Sequence, residues 1–251
     1  MNNDFERINQ SSQAVIDWSF RHQKEKERNY ISLPVFDAPF LKALQVPLVV
    51  TENQEIKIQR PLFKNIDQLE SNSVLLFSED AFSCLFEVID SVREKNLEQK
   101  IVYKIPNLFH IMEAVLPFDQ LVLSARKYPD LYGDVMNQVI SFMHKIIKKL
   151  DDKQVDIIYF FDSFGSYQLL GSNFYKKFYG EFILTLFSIE EELSYAVLSM
   201  TKAIAVPLQK SYGLIENKKS RIYLSNQKSK GTIELTKAVS FNKKGAIHVN
   251  T

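Results

Sequence analysis

The sequence predicts an α/β fold, and three observations carry that prediction. Short apolar runs alternate with helical spacings through about residue 225, the order expected of strands and helices that take turns along the chain. The run Ile157-Ile158-Tyr159-Phe160-Phe161 is apolar and aromatic throughout, as in a strand of a parallel sheet with helices on its faces. A helical pattern from about Pro129 to Leu150 precedes that run. With 251 residues and 45% hydrophobic content, the chain can bury a full core.

Along the chain, residues 3 to 28 place Phe5, Ile8, Val15, Trp18 and Phe20 among polar residues, an amphipathic helix closing in the charged run RHQKEKER. Strands are expected at 31 to 36, 46 to 50, 101 to 105, 156 to 161 and 220 to 225, with weaker patterns at 73 to 77, 232 to 235 and 245 to 249. Helical spacing fills 79 to 98, 106 to 126, 129 to 150 and 172 to 209, the last with a break near Ser188. There is no internal repeat, no low-complexity segment and no long Pro/Gly/Ser linker. The expectation is one domain over 1–251, with an N-terminal helix in 1–30 and a basic, β-rich segment in 213–251.

Asp162 follows the apolar run directly and opens a small-residue loop, SFGSYQLLG. A carboxylate within the strand would be costly to bury, whereas the C-terminal end of a parallel strand is where α/β barrels do chemistry. The plainer alternative is that Asp162 caps the loop or the helix beginning near Ser172.

The unit from Tyr128 to Phe178 resembles the middle of the uroporphyrinogen decarboxylase superfamily, and within it the cobamide-dependent methyltransferase branch. Its helix starts with Pro129-Asp130, an acidic residue precedes the strand, and Asp162, Ser166 and Leu169 fall on the family's Asp-x-x-x-Ser and Leu. Upstream, LPVFDAPFLKALQVPLVV (33–50) is similar to the family's strand ending in a Phe and an Asp, here Asp37, followed by a helix ending Ala-Leu-Gly, where Gln45 replaces the Gly. QRPLFKNIDQL and VYKIPNLFHIMEAVL, with Pro106 in register, resemble two further family segments. The resemblance implies a TIM-barrel-like (β/α) fold, incomplete or truncated, with Asp37 and Asp162 as catalytic carboxylates at its rim. One would stabilise a developing cation or hold a proton while the other orients substrate. Tyr103, Asn107, His110, Ser163 and Ser166 are the expected substrate-binding residues.

The departures from that pattern matter as much. Zinc-using members carry a His-x-Cys pair on a later strand, and the apparent counterpart here is SRIYLSNQ, with Tyr223 and Ser225 in those places. Neither is a usual zinc ligand, so no metal is expected. The decarboxylase branch's Arg-rich substrate loop has no counterpart before Tyr30. His22, His110, His144 and His248 are scattered, without HxH or HExxH, and the lone Cys84 reads as a core thiol of a helix. The seven Gly form neither GxGxxG nor GxxxxGK[ST], which argues against a dinucleotide or P-loop site. With no apolar run of about 18–20 residues and no signal-like N-terminus, a cytoplasmic protein is expected.

Residues 202–251 hold ten Lys/Arg against two Glu, a net +8, while the rest carries −7 of the total of +1. The short strands after Gly213 are therefore expected to serve association more than the pocket, in a homodimer that sets basic segment on acidic body. Aromatic interleaving there is thin, so nucleic acid is not indicated. Three function classes follow. The first is methyl transfer or decarboxylation at the barrel rim without the family zinc, on a small molecule or a corrinoid protein. The second is a catalytically degenerate module that binds a corrinoid, a tetrapyrrole or another small molecule, with no cofactor held tightly. The third is an interaction protein that works through its basic tail.

Overall fold

The computed structural model describes residues 30–33, 38–50, 56–72, 74–95, 100–161, 170–227 and 233–241. The helix expected at 3 to 28 and the strand expected at 245 to 249 lie outside them. The described residues begin with strand β1 (Tyr30–Ser32), helix α1 (Ala38–Ala43), the antiparallel pair β2 (Leu48–Val50) and β3 (Ile56–Ile58), and helices α2 (Ile66–Ser71) and α3 (Ser83–Lys95). Strand β4 (Lys100–Pro106) leads to α4 (Leu108–Val115), α5 (Phe118–Lys127) and α6 (Pro129–Asp152). Then come β5 (Ile157–Phe161), α7 (Ser172–Phe178), α8 (Gly180–Phe187), β6 (Val197–Met200), α9 (Lys202–Tyr212), β7 (Leu214–Glu216), β8 (Ile222–Gln227) and β9 (Ile233–Phe241).

Seven strands form one sheet in the order β1-β4-β5-β6-β8-β9-β7. The first five run parallel, and each is the spatial neighbour of the parallel strand before it in sequence. That monotonic order is singly wound: it lacks the reversal that sends helices to both faces of a doubly wound sheet. The burial agrees. Ile101, Tyr103 and Ile105 of β4, Ile158 and Phe160 of β5, Leu198 and Met200 of β6 and Ile222 of β8 share one core with the buried residues of α1 through α9. Alternate residues on the other face, Tyr30, Val102, Ile157 and Tyr159, form a separate cluster with Val197 and Leu235. The expectation of helices on both faces is thus corrected, because every described helix packs on one side.

The barrel is not closed among the described residues. Strand β9 pairs antiparallel with β8, and β7 pairs antiparallel with β9, so the position where another parallel strand would add is taken by strands of the wrong direction. Residues beyond Gly213 contribute to the main sheet. Strand β8 pairs in parallel with β6, and its Ile222 is fully buried.

Local physics explains the helices. Pro129 occupies the first turn of α6, where its missing N–H costs nothing, and Tyr132, Val135, Met136, Val139, Ile140 and Met143 line one buried face at helical spacing. The helix expected over 106 to 126 breaks at Pro117. Leu116 before it is extended at φ −146° and ψ 142°, and α4 and α5 meet at 96°. Among the described residues no single helix is long and apolar enough to cross a membrane. Residues 74 to 77 form no strand, and 46 to 50 joins the β2–β3 pair rather than the main sheet. Cys84 is exposed, not a core thiol, because Leu85, Val88, Ile89 and Val92 set the buried face of α3.

Two turns carry strain that a substitution can relieve. Gln45 (φ 57°) ends α1 and Gln154 (φ 58°) ends α6, each in the left-handed region where a Cβ is disfavoured. Val46 N–H bonds the Leu41 carbonyl at 3.1 Å and Val155 N–H the Leu150 carbonyl at 3.0 Å, so the turn geometry is fixed by the backbone. Both Gln side chains are exposed. A non-Gly residue there costs about 1–2 kcal/mol and Gly loses about 0.5–1 kcal/mol in chain entropy. Gln45→Gly and Gln154→Gly should each raise stability by about 0.5–1 kcal/mol by urea unfolding; a lower midpoint would show that the glutamine makes up the difference through contacts.

Candidate functional site at the C-terminal edge of the sheet

The face of the parallel strands that no described helix covers, the helix-free face below, is layered. Val102, Ile157 and Val197 are register partners across β4, β5 and β6 and form an apolar row. Two residues further toward the C-terminal ends, Lys104, Tyr159, Ser199 and Tyr223 are partners across β4, β5, β6 and β8, and this row is polar. The Lys104 ammonium lies over the Tyr159 ring, 5.9 Å from its centroid. Burial pushes the Tyr159 phenol above its usual range, the neighbouring Tyr30 adds to the rise, and a hydrogen bond with Ser225 pulls the other way. Ser225, two residues past Tyr223, also donates to the Met200 carbonyl at 3.2 Å. A register irregularity between Leu224 and Ser225 bends β8 at this point.

Ser199 sits in the middle of the row and is fully buried, yet its hydroxyl has no hydrogen-bond partner among the described residues. The Thr201 hydroxyl, two residues on, is likewise buried without one. An orphaned buried hydroxyl costs free energy, and it calls for an explanation.

On the helix side, a small cavity opens at the ends of the same strands, lined by Asn107, Phe160, Tyr175, Tyr179, Phe187 and Ile204 among others. It leaves about 10 Å³ for a water centre, room for about one water molecule. Asn107 is 4% exposed and caps α4, its Oδ1 accepting from the His110 N–H at 2.8 Å. The Tyr179 phenol accepts from the Phe109 N–H at 2.9 Å, which serves a second amide of that first turn.

The other sequence-expected site residues are placed as follows. Asp37, Asp162, Ser163 and Ser166 lie outside the described residues. Tyr103 is fully buried in the helix-side core, on the opposite face from Lys104. His110 is half-buried on α4, one turn beyond Asn107. His144, which the sequence does not place at the site, bonds the Leu186 carbonyl at 3.0 Å through Nε2, and burial lowers its pKa. Sequence reasoning missed Lys104 and Ser199. The available signal was a lysine in an otherwise apolar strand, and a serine between two buried residues of a strand that went unread.

The carboxylates at the other end of the sheet are structural. Asp151 accepts from the backbone N–H groups of Ser194, Tyr195 and Ala196, which fixes the entry to β6. Asp156 pairs with Arg93, accepts from Ile101 N–H at 2.7 Å and from the Tyr195 hydroxyl at 3.0 Å. Glu190 accepts from the Ser220 hydroxyl and the Arg221 N–H ahead of β8.

The donor set on β8 does not fit zinc, because Tyr223 and Ser225 offer a phenol and a hydroxyl where thiolate or imidazole is needed. Among the described residues no group of three or more His, Cys, Asp or Glu is placed to hold a metal. A corrinoid or tetrapyrrole does not fit the one-water cavity beside Asn107.

No protein family matches the chain, and no curated protein matches it in sequence. Among solved structures it is similar to a methyltransferase from Methanosarcina mazei, with a TM-score of 0.64 and 14% identity, over 77% of this chain and 57% of that one. The chain therefore spans a little over half the length of that structure. At this identity the likeness concerns the fold.

Proposed function

We propose that the chain is a methyltransferase-like enzyme of the uroporphyrinogen decarboxylase type that acts on a small molecule at the C-terminal edge of a partial TIM-like barrel, without zinc. The observation that carries this reading is the polar row Lys104-Tyr159-Ser199-Tyr223 above an apolar layer, on the helix-free face of a singly wound parallel sheet. Barrels of this kind fill their interior with apolar layers and place chemistry at the C-terminal ends of the strands. The methyltransferase neighbour supports the reaction class. Asp37 and Asp162 are proposed as the carboxylates beside the substrate, with Ser163, Ser166, Asn107 and His110 as hydrogen-bonding groups. Tyr103 has no part in this reading.

One observation favours a second reading. The phenol and hydroxyl of Tyr223 and Ser225 cannot activate a thiol as a zinc-bound thiolate would, which suits a module that binds a small molecule, corrinoid or tetrapyrrole without turnover. Incubating the protein with methylcobalamin or a small methyl donor and a thiol acceptor, and following the methylated product by chromatography, separates the two. Turnover supports the enzyme. Saturable binding without turnover supports the module, and the absence of both sinks both readings. A cytoplasmic homodimer remains part of the proposal, on the charge opposition between residues 202–251 and the remainder; sedimentation at low and high salt tests the dimer.

A further inference from the structure

We infer that the junction of β6 and α9 is an oxyanion site, which holds an acidic group of the substrate through the Ser199 and Thr201 hydroxyls and the first-turn amides of α9. This rests on the reading that the C-terminal edge of the sheet is where substrate binds. Thr201 is the N-cap of α9, with φ −74° and ψ 164°, so its extended backbone continues β6 and sets its side chain on the face of Ser199. A threonine at this position ordinarily accepts from an amide of the first turn. Here it makes no such bond, and its hydroxyl stays buried without a partner among the described residues. The comparison with α4 is instructive, since Asn107 and Tyr179 serve the amides there. In α9 the backbone bonds of the first turn run from Ile204 and Ala205 back to Thr201, and no acceptor for the amides of Lys202 and Ala203 is found among the described residues.

The fully buried Ser199 hydroxyl is the independent observation. Each of the two orphaned hydroxyls has an O–H free to donate, and the positive end of the eleven-residue helix adds amide donors and favours negative charge, so an anionic acceptor with several lone pairs satisfies all of them at once. A carboxylate or a phosphate meets that description. The Lys104 ammonium, reaching over Tyr159 from two strands away, adds charge of the right sign. The row then reads as a cradle that is costly when empty and satisfied when filled.

The test titrates inorganic phosphate and, separately, acetate into the full chain at constant ionic strength balanced with chloride. Calorimetry and the thermal unfolding midpoint are read, alongside Ser199→Ala, Thr201→Val and the double variant. The expected result is a saturable stabilisation by at least one anion, with affinity roughly tenfold weaker in each single variant and lost in the double. The midpoint without anion should stay equal or rise, because each substitution removes a buried hydroxyl that has no partner. Binding of phosphate alone assigns a phosphorylated substrate, and binding of acetate alone a carboxylate. If neither anion saturates, or if the variants bind as the parent does, the inference is overturned. Broadening of the phosphate resonance in phosphorus NMR gives a readout that does not depend on variant stability. Failure of methyl transfer leaves these isotherms untouched, so the two proposals fail separately.

Discussion

Replacing Asp151 with Ala should lower the unfolding free energy by about 3–5 kcal/mol, the largest loss expected from any single carboxylate described here. Asp151 closes α6, is 7% exposed, and accepts from the backbone amides of Ser194, Tyr195 and Ala196. These amides belong to the turn that delivers the chain into β6, where no sheet partner can take them. Hydrogen bonds to an ionised acceptor contribute about 1.5–3 kcal/mol each, and a buried donor left unpaired costs about 1–3 kcal/mol. Even with partial relaxation, three donors losing one acceptor exceeds any surface ion pair in the molecule. Asp151→Asn keeps the shape and one carbonyl oxygen, so it should lose about half as much. Urea unfolding followed by circular dichroism measures both, and a loss below about 1 kcal/mol for the alanine variant would mean that β6 is positioned by its sheet neighbours alone. The clamp also bears on function, because the strand it starts carries Ser199 and leads into Thr201.

The contrast between β6 and its neighbours shows what the sequence discloses. Strand β5 is legible as a continuous apolar run, β4 as an apolar run interrupted by Lys104, and α6 because its buried face recurs at the helical period over 24 residues. Strand β6 is not legible. Its four residues, Val-Leu-Ser-Met, lie between two apolar helices, so helical spacing runs through them without visible interruption. The turn at Ser194-Tyr195 and the N-cap residue Thr201 were the signals that a strand fits between. Missing β6 hides Ser199, and with it the row. Tyr223 and Ser225 are legible only through resemblance, as residues standing where zinc ligands would. Lys104 is hidden for a different reason. A charge in a buried strand reads as a defect until the strand's two faces are separated, and the register then places it on the helix-free face beside Tyr159.

That placement makes Lys104→Met the second large expected effect, on ligand binding rather than on folding. The side chain is half-buried, with its stem along the sheet and its ammonium over the Tyr159 ring. Methionine preserves most of that packing and removes the charge. In a partly dry site a cation meeting an anionic group contributes about 1.5–3 kcal/mol, which corresponds to an affinity change of roughly tenfold to a hundredfold. Small-anion affinity in Lys104→Met should fall by that factor while the variant remains folded. Lys104→Arg should recover only part of it, since the guanidinium keeps the charge but presents it as a planar fork in place of a compact ammonium. The salt dependence provides a second readout: the parent's affinity should weaken with added chloride, and the methionine variant's much less. Equal affinities in parent and Lys104→Met would remove the ammonium from the site and leave the Ser199 and Thr201 hydroxyls and the first-turn amides of α9 to hold the ligand alone.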